Sequence, residues 1–290
     1  MRLAQEGLGE ILLIDKIPGL AKGKVLDLED ARGVLKYDYR IEGTEDISQI
    51  KKSDIVVITA GLARKPGMTR EELLSKNAEI AKEISENIKK LTPDAIVIVV
   101  TNPLDLMTYL VLKVTGFAAQ KVIGMGPSLD AARFSNLIAQ ELNLPQADIE
   151  ATVIGSHGEG MLPLPRCSHI KNIAMDEFLD DKKAEELVKR TINRGAEIVS
   201  NLGSGSAYFA PSAAIAALVK TIAKDEKRVI GVCAYLLGEY GLKDVCIGVP
   251  CRIGKSGIEK IIELELNKED KVSFLQTANQ LKKQYNNITI

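Results

Sequence analysis

Asp54-Ile-Val-Val-Ile-Thr-Ala60 and Ala95-Ile-Val-Ile-Val-Val-Thr101 are short runs rich in β-branched residues. Between them Leu73, Leu74, Ile80, Ala81, Ile84, Ile88 and Leu91 recur at helical spacing. Unbroken apolar runs of this length suit strands covered on both faces, as in a parallel sheet flanked by helices. The intervening periodicity predicts an amphipathic helix over 70–91. Strand, helix and parallel strand make a crossover unit, and repetition of such right-handed units builds an open, doubly wound sheet.

The same alternation extends outward. Glu10-Ile-Leu-Leu-Ile-Asp15 reads as a further short strand, and Val122-Ile-Gly as another, followed by a helix from about Ser128 to Leu142. Beyond this the pattern changes. Helical stretches are predicted at about 176–200 and after Pro211, where Ala213, Ala214, Ile215, Ala217 and Leu218 cluster. Strand-like segments near 228–237, 244–253 and 257–264 are joined by Gly-containing turns in the manner of an antiparallel meander. A last amphipathic helix covers about 268–285. The expected fold is therefore α/β, with a parallel nucleotide-binding half over 1–125 and an α+β half over 126–290.

Bulk properties exclude several classes. The 290 residues are 46% hydrophobic and 27% charged, enough for a substantial core. A net charge of −1, from 38 basic and 39 acidic residues, gives no reason to expect a nucleic-acid partner. Cys167, Cys233, Cys246 and Cys251 have no metal-ligand spacing and read as reduced thiols, so no metal site is expected. Neither a membrane-spanning run nor a signal-peptide core is evident, and a cytoplasmic location is expected.

Histidine is scarce. His157 lies in Val153-Ile-Gly-Ser-His-Gly-Glu-Gly160, after an apolar strand and between glycines that permit close approach of a ligand. Imidazole titrates near neutrality and suits reversible proton transfer; the same local sequence also describes a histidine in an ordinary tight turn. Arg64 and Arg70 share the polar segment Ala63-Arg-Lys-Pro-Gly-Met-Thr-Arg70, between a buried strand and a helix. In doubly wound folds, ligands bind beyond the carboxyl ends of strands. That loop is thus placed to cover a site, or is simply a solvated basic loop. Arg133, in Leu129-Asp-Ala-Ala-Arg-Phe134, shares a helix face with Asp130 three residues earlier, which is also the spacing of a plain ion pair. Asn102, in Asn102-Pro-Leu-Asp105, follows a strand and serves either as a donor into the crevice or as a helix cap. Asp15 ends its strand, where an acid accepts from ribose hydroxyls and repels a 2′-phosphate.

Taken together, Ile58-Thr-Ala-Gly-Leu-Ala-Arg-Lys-Pro-Gly-Met-Thr-Arg70, Asn77, Thr101-Asn-Pro-Leu-Asp105, Leu129-Asp-Ala-Ala-Arg-Phe134 and Gly155-Ser-His-Gly158 resemble, in order and spacing, the malate/lactate dehydrogenase family. The lactate-dehydrogenase-like malate dehydrogenases of prokaryotes look most similar. The likeness continues through Gly203-Ser-Gly-Ser-Ala-Tyr-Phe-Ala-Pro211 and Val245-Cys-Ile-Gly-Val-Pro250, covering essentially the whole chain.

The resemblance implies a Rossmann-type NAD-binding domain over 1–125 and a substrate domain over 126–290. It implies His157 as the acid/base, Asp130 as the group that orients and balances it, and Arg133 as the clamp on the C1 carboxylate. Arg70 would polarise the carbonyl from a mobile loop. Asn102 would position substrate and nicotinamide, with Asn77, Thr101 and Asp15 on the cofactor. Arg64 would meet a second carboxylate, which favours a C4 dicarboxylate such as malate or oxaloacetate over lactate or pyruvate. A homodimer or homotetramer is expected.

Family members open with a strand and a G-x-G-x-x-G turn ahead of a segment like Arg2-Leu-Ala-Gln-Glu-Gly-Leu-Gly-Glu10. Here Met1 falls inside the helix that should follow, so roughly 20 residues of the pattern are not represented. Weak binding of NAD, or an inactive truncated member, is the corresponding expectation. Other readings are a lactate or other 2-hydroxy-acid dehydrogenase, and an NAD-dependent glycosidase, which would need a metal site that the sequence does not suggest.

Overall fold

The structure is a computed structural model, and it describes residues 1–62 and 69–288, with the side chain of Arg70 outside that description. In the first half the order is α1 (Arg2–Gln5), β1 (Ile11–Ile14), α2 (Leu20–Leu35), β2 (Ile41–Thr44), β3 (Ile55–Ile58), α3 (Arg70–Leu91), β4 (Ile96–Val99), α4 (Leu104–Thr115) and β5 (Val122–Gly124). There follow α5 (Gly126–Leu142), β6 (Ile149–Glu150), β7 (Val153–Gly155), β8 (Met161–Pro163), β9 (His169–Ile170), β10 (Ile173–Ala174) and α6 (Asp181–Leu202). The chain ends with α7 (Phe209–Ala223), β11 (Arg228–Leu237), β12 (Lys243–Gly254), β13 (Gly257–Ile261) and α8 (Lys268–Tyr285).

β3, β4 and β5 are parallel neighbours, as the crossover reading requires. The four residues of β4 are buried, which is what its unbroken apolar run demands. The spacing-based helix over 70–91 coincides with α3. Its start is set by a capping box: the Glu72 amide donates to Thr69 Oγ1 at 3.0 Å, and the Thr69 amide donates to Glu72 Oε2 at 2.9 Å.

Three helix starts differ from expectation for local reasons, and the strand expected near 257–264 ends at Ile261. α5 begins at Gly126 rather than Ser128, and α7 at Phe209 rather than after Pro211. Both prolines fall in a first turn, where a missing N–H removes no intrahelical bond. α6 begins at Asp181 rather than 176, because Asp180 caps it by accepting from the Lys183 amide.

The sheet also differs from two separate halves. β11 pairs antiparallel with β5 at Cys233 and Gly124, and β12 pairs with β7 at Gly248 and Gly155. The main sheet therefore runs β3-β4-β5-β11-β12-β7-β8, with β13 also on β12, across both halves of the chain. β1 and β2 form their own parallel pair, and β3 ends the strand order of the main sheet among the described residues.

The core follows the sheet. Val97, Ile98, Met107, Leu110, Val232, Ile247 and Phe274 belong to one cluster that draws on both halves. A smaller cluster, including Phe134, Leu137, Ile138, Val153, Met161 and Leu187, seats α5 against α6 and the β7–β8 hairpin. Ala4, Val25, Tyr39 and Ile41 form a small third cluster about β1, β2 and α2. A polar staple reinforces the join between halves: Lys113 Nζ meets Asp244 at 2.9 Å, and the Tyr109 and Tyr285 rings stack at 3.7 Å. Among the described residues, no helix is long and apolar enough to cross a membrane.

Candidate active site

His157 lies in the turn that joins β7 to β8. The turn is closed by the Ser156 amide donating to Gly160 O at 3.1 Å and by Gly158 donating to Ser156 O at 2.9 Å. Gly155 enters it at φ +88, and a β-carbon there would run into the Gly160 carbonyl. Only glycine satisfies both demands. The imidazole is consequently carried by a short rigid hairpin anchored through β12 to the main sheet.

Across from it, α5 presents Asp130 and Arg133 one helical turn apart. Asp130 is 1% exposed, and its two oxygens face different partners. Oδ2 meets His157 Nδ1 at 2.7 Å, and Oδ1 accepts from Arg133 Nη1 at 3.2 Å. One buried carboxylate thus contacts both the imidazole and the guanidinium, so the ion pair expected from the Asp130–Arg133 spacing is present together with a contact to His157. With Nδ1 committed to Asp130, Nε2 is the nitrogen left for proton exchange.

Electrostatics suit that task. Burial by itself pushes the imidazole pKa down. The charge of Asp130, the hydrogen bond to it and the charge of Asp105 outweigh burial and the opposing Arg133, leaving His157 above its ordinary value. Arg133 has its side chain 13% exposed, and its Nε is buried without a hydrogen-bond partner among the described residues. An unpaired buried guanidinium donor is costly and is relieved by an anionic acceptor.

A second group sits at the carboxyl ends of β3 and β4. Asn77, from α3, is 1% exposed. Its side chain accepts from the Leu62 amide at 2.8 Å and donates to Asn102 O at 2.8 Å. Thr101 Oγ1 donates to Ala60 O at 2.6 Å. Both side chains are therefore engaged with main chain, fastening the two loops together. The Asn102 side chain is exposed with no hydrogen-bond partner among the described residues, and its peptide to Pro103 is cis. Asp15 follows β1, half-buried, with Oδ1 accepting from the Ile17 amide at 3.0 Å.

Of the residues singled out from sequence, His157, Asp130 and Arg133 are joined by direct contacts. Asn77, Thr101 and Asn102 form the neighbouring set, and Asp15 stands at a third strand end. Arg64 lies outside the described residues, and Arg70 is placed only by its main chain as the first residue of α3. Two residues of this site were not marked by sequence reasoning. Asp105 accepts from the His157 amide at 2.8 Å across 52 positions of chain. Gly126 leaves the space into which the His157 ring packs, since a β-carbon there would lie 2.7 Å from His157 Cγ and 2.6 Å from Leu104 Cδ2. Asp105 closes the motif Thr101-Asn-Pro-Leu-Asp105 but carried no role from sequence, and Gly126, ahead of Pro127, gave no sign that it faces His157.

Among the described residues no cluster of His, Cys, Asp and Glu could hold a metal ion.

Comparison with known proteins is consistent across sequence and structure. The family model described as the NAD binding domain of lactate/malate dehydrogenase matches residues 1–124, and that of the α/β C-terminal domain matches 127–289. The malate dehydrogenase of Methanosarcina mazei is 49% identical over 265 residues, covering 91% of this chain and 86% of that relative. The structure of the malate dehydrogenase from Aeropyrum pernix superposes with a TM-score of 0.94 at 41% identity, covering 98% of this chain and 92% of that one. A lactate dehydrogenase from Cryptosporidium parvum, solved with lactic acid and nicotinamide adenine dinucleotide, also reaches a TM-score of 0.94, at 34% identity and with 98% and 91% coverage.

Proposed function

The chain belongs to the lactate/malate dehydrogenase family, and from that premise we propose that it interconverts malate and oxaloacetate with NAD. The observation that carries the reading is the three-residue relay in which one buried carboxylate, Asp130, holds both His157 and Arg133.

The geometry supports the roles given to His157, Asp130 and Arg133. In oxidation His157 accepts the hydroxyl proton at Nε2, becoming an imidazolium that Asp130 balances at Nδ1. In reduction it returns that proton to the carbonyl oxygen. Arg133 offers Nε, buried and unpartnered among the described residues, with the adjacent guanidinium edge to the C1 carboxylate, a fork that lysine does not match. Arg64 supplies the counter-charge for the second carboxylate, and Arg70 acts on the reacting carbonyl oxygen; both assignments rest on the sequence motif.

Residues at the carboxyl ends of the strands fit NAD at its ribose and nicotinamide ends. Asp15 has one oxygen uncommitted among the described residues and is suited to ribose hydroxyls, which favours NAD over NADP. Asn102, exposed at the end of β4, is suited to the nicotinamide side, while buried Asn77 and Thr101 hold the loops that frame it. When bound, NAD supplies the hydride acceptor. We accordingly take 1–125 as the cofactor half and 126–290 as the substrate half.

The protein is proposed to work in the cytoplasm as a homodimer or homotetramer. Four free cysteines agree with a reducing compartment. Exposed Val34, Tyr208 and Phe209 offer apolar surface of the kind that a second copy covers.

The deciding experiment measures NADH oxidation by the purified chain with oxaloacetate and with pyruvate. A clear oxaloacetate preference, lost by about a thousandfold in His157→Asn, is the expected result. A pyruvate preference overturns the role of Arg64; activity indifferent to His157 overturns the mechanism.

A further inference from the structure

Asp105 is a carboxylate with an unusual address. It is the second residue of α4 and only 4% exposed, deep enough that a charge there needs a reason. An acid in a helix's first turn commonly serves its own helix, through the dipole and the free amides of that turn. Asp105 instead accepts from another element. Its Oδ2 takes the main-chain N–H of His157 at 2.8 Å, and its Oδ1 has no hydrogen-bond partner among the described residues, although the Cys233 thiol lies close by.

We propose that Asp105 is a positioning residue of this site, holding the His157 main chain through its buried carboxylate and adding a second negative charge behind the imidazole. The inference rests on the reading of His157 as the acid/base.

Two anchors fix one residue in this arrangement. Asp130 holds the ring at Nδ1, and Asp105 holds the main-chain nitrogen from the opposite element, so the ring loses both its torsional freedom and the rocking of its hairpin turn. Gly126 completes the seat by leaving room for the ring against Leu104, the residue before Asp105. The same segment begins at Asn102, at the crevice end of β4. Asn102, assigned to the nicotinamide side, and the clamp on the acid/base are therefore three residues apart, at the start of α4.

The electrostatic surroundings are mixed. From α5 come Asp130, which opposes ionisation of Asp105, and Arg133; from the hairpin comes His157, which favours it. β11 and β12 contribute the thiols Cys233 and Cys246, and α8 the Tyr285 hydroxyl. Burial is the largest influence and pushes the Asp105 pKa up to about 6, against the Cys233 and His157 contacts. Above that pH the carboxylate is ionised and strengthens the basicity of the imidazole.

The test separates charge from mere shape. The sequence holds two histidines, so the ring signals of His157 and His169 can be assigned by one His169 substitution and followed by NMR against pH in the full chain. Asp105→Asn keeps an acceptor for the His157 amide and removes the charge. It is expected to lower the His157 pKa by about one unit and to move the acid limb of kcat/KM for malate oxidation down by the same amount. Asp105→Ala removes the acceptor as well and is expected to lower kcat by about ten- to a hundredfold while leaving KM within about twofold. A His157 titration that stays put in Asp105→Asn, with both variants matching the parent in kcat, overturns the proposal and leaves Asp105 as a helix-end acid. Should the variants not fold, the parent chain decides. Its His157 signal is expected to show a second inflection near pH 6 as Asp105 protonates, and a single smooth transition overturns the coupling. None of the titrations needs substrate or cofactor. Failure of the parent to reduce oxaloacetate therefore counts against the enzymatic reading alone.

Discussion

Two ends of one site are built differently. Around His157 the chain itself fixes the reacting ring: Asp130 uses both oxygens, the ring uses Nδ1, and the main-chain amide is held by Asp105, while Arg133 Nε and Asp105 Oδ1 have no hydrogen-bond partner among the described residues. At the crevice rim, Asp15 keeps one oxygen uncommitted and the Asn102 side chain is exposed and unpartnered among the described residues. The first region holds its imidazole in place before any ligand arrives and leaves one buried donor, Arg133 Nε, for an anion, whereas the second presents exposed groups for a ligand to satisfy. Preorganised charge is most effective where charge develops in the reaction, whereas binding groups must remain open to what they bind. The contrast extends to packing. The His157 cluster rests on cores drawn from both halves of the chain, while Asp15 is carried by the β1–β2 pair with its small separate cluster.

The braced end around His157 is where substitutions cost most. Asp130→Asn removes the charge that balances the imidazolium and weakens the hold on Arg133. We expect kcat to fall by roughly three to four orders of magnitude, with the His157 pKa lowered; stopped-flow and steady-state rates against pH check it.

The next effect is on stability and has the opposite sign from ordinary loss of a buried contact. The folded-state pKa of Asp105, about 6, lies above the ordinary carboxylate value of 3.8. Between those values the folded chain binds more protons than the unfolded one. The contribution of this group is fully present below 3.8 and is lost as pH rises through about 6. At neutral pH the ionised carboxylate is thus a liability of up to about 3 kcal/mol. Asp105→Asn should raise the denaturation midpoint at pH 7.5 while leaving it nearly unchanged at pH 4. A variant destabilised equally at both values would show the carboxylate to be purely structural.

Gly126→Ala probes the seat rather than the charges. A β-carbon 2.7 Å from His157 Cγ must move the ring, and a shift of about 1 Å costs about a hundredfold in kcat. Circular dichroism should be unchanged, and the His157 NMR line displaced. An unaltered kcat would mean that the seat is adaptable.

The open end should respond mildly. Asp15→Ala is expected to raise KM for NADH by about tenfold and to narrow the preference over NADPH, with kcat at saturation largely kept. Equal effects on kcat and kcat/KM would place Asp15 closer to the chemistry than its strand end suggests.

Much of this was legible beforehand, and particular residues show where legibility ended. The apolar period of 70–91 was enough for α3 because a helix's buried face is written locally, at every third or fourth position. β11 and α8 were likewise read with correct bounds. The continuation of the parallel sheet through β5 into β11 was not legible, because pairing of Gly124 with Cys233 joins residues that share no local pattern. Asn77 was read as a cofactor contact from its motif. Its burial, and its use in bridging Leu62 to Asn102, appear only when both loops are in place.

The amino-acid sequence by itself determined the family and named the candidates for the site. The spacing of Asp130 to Arg133 is a helical turn, and the glycines about His157 allow only a tight turn, so those local geometries were implied by chain chemistry alone. Tertiary structure decided the partnerships: Asp130 between two cations, Gly126 beneath the ring, and Asp105 on the far side of His157. These depend on distances between atoms separated by tens of residues, and such distances are set by how the sheet and its helices pack. An acid in a helix's first turn therefore looks the same in sequence whether it caps its own helix or, as here, holds the main chain of a histidine on another element.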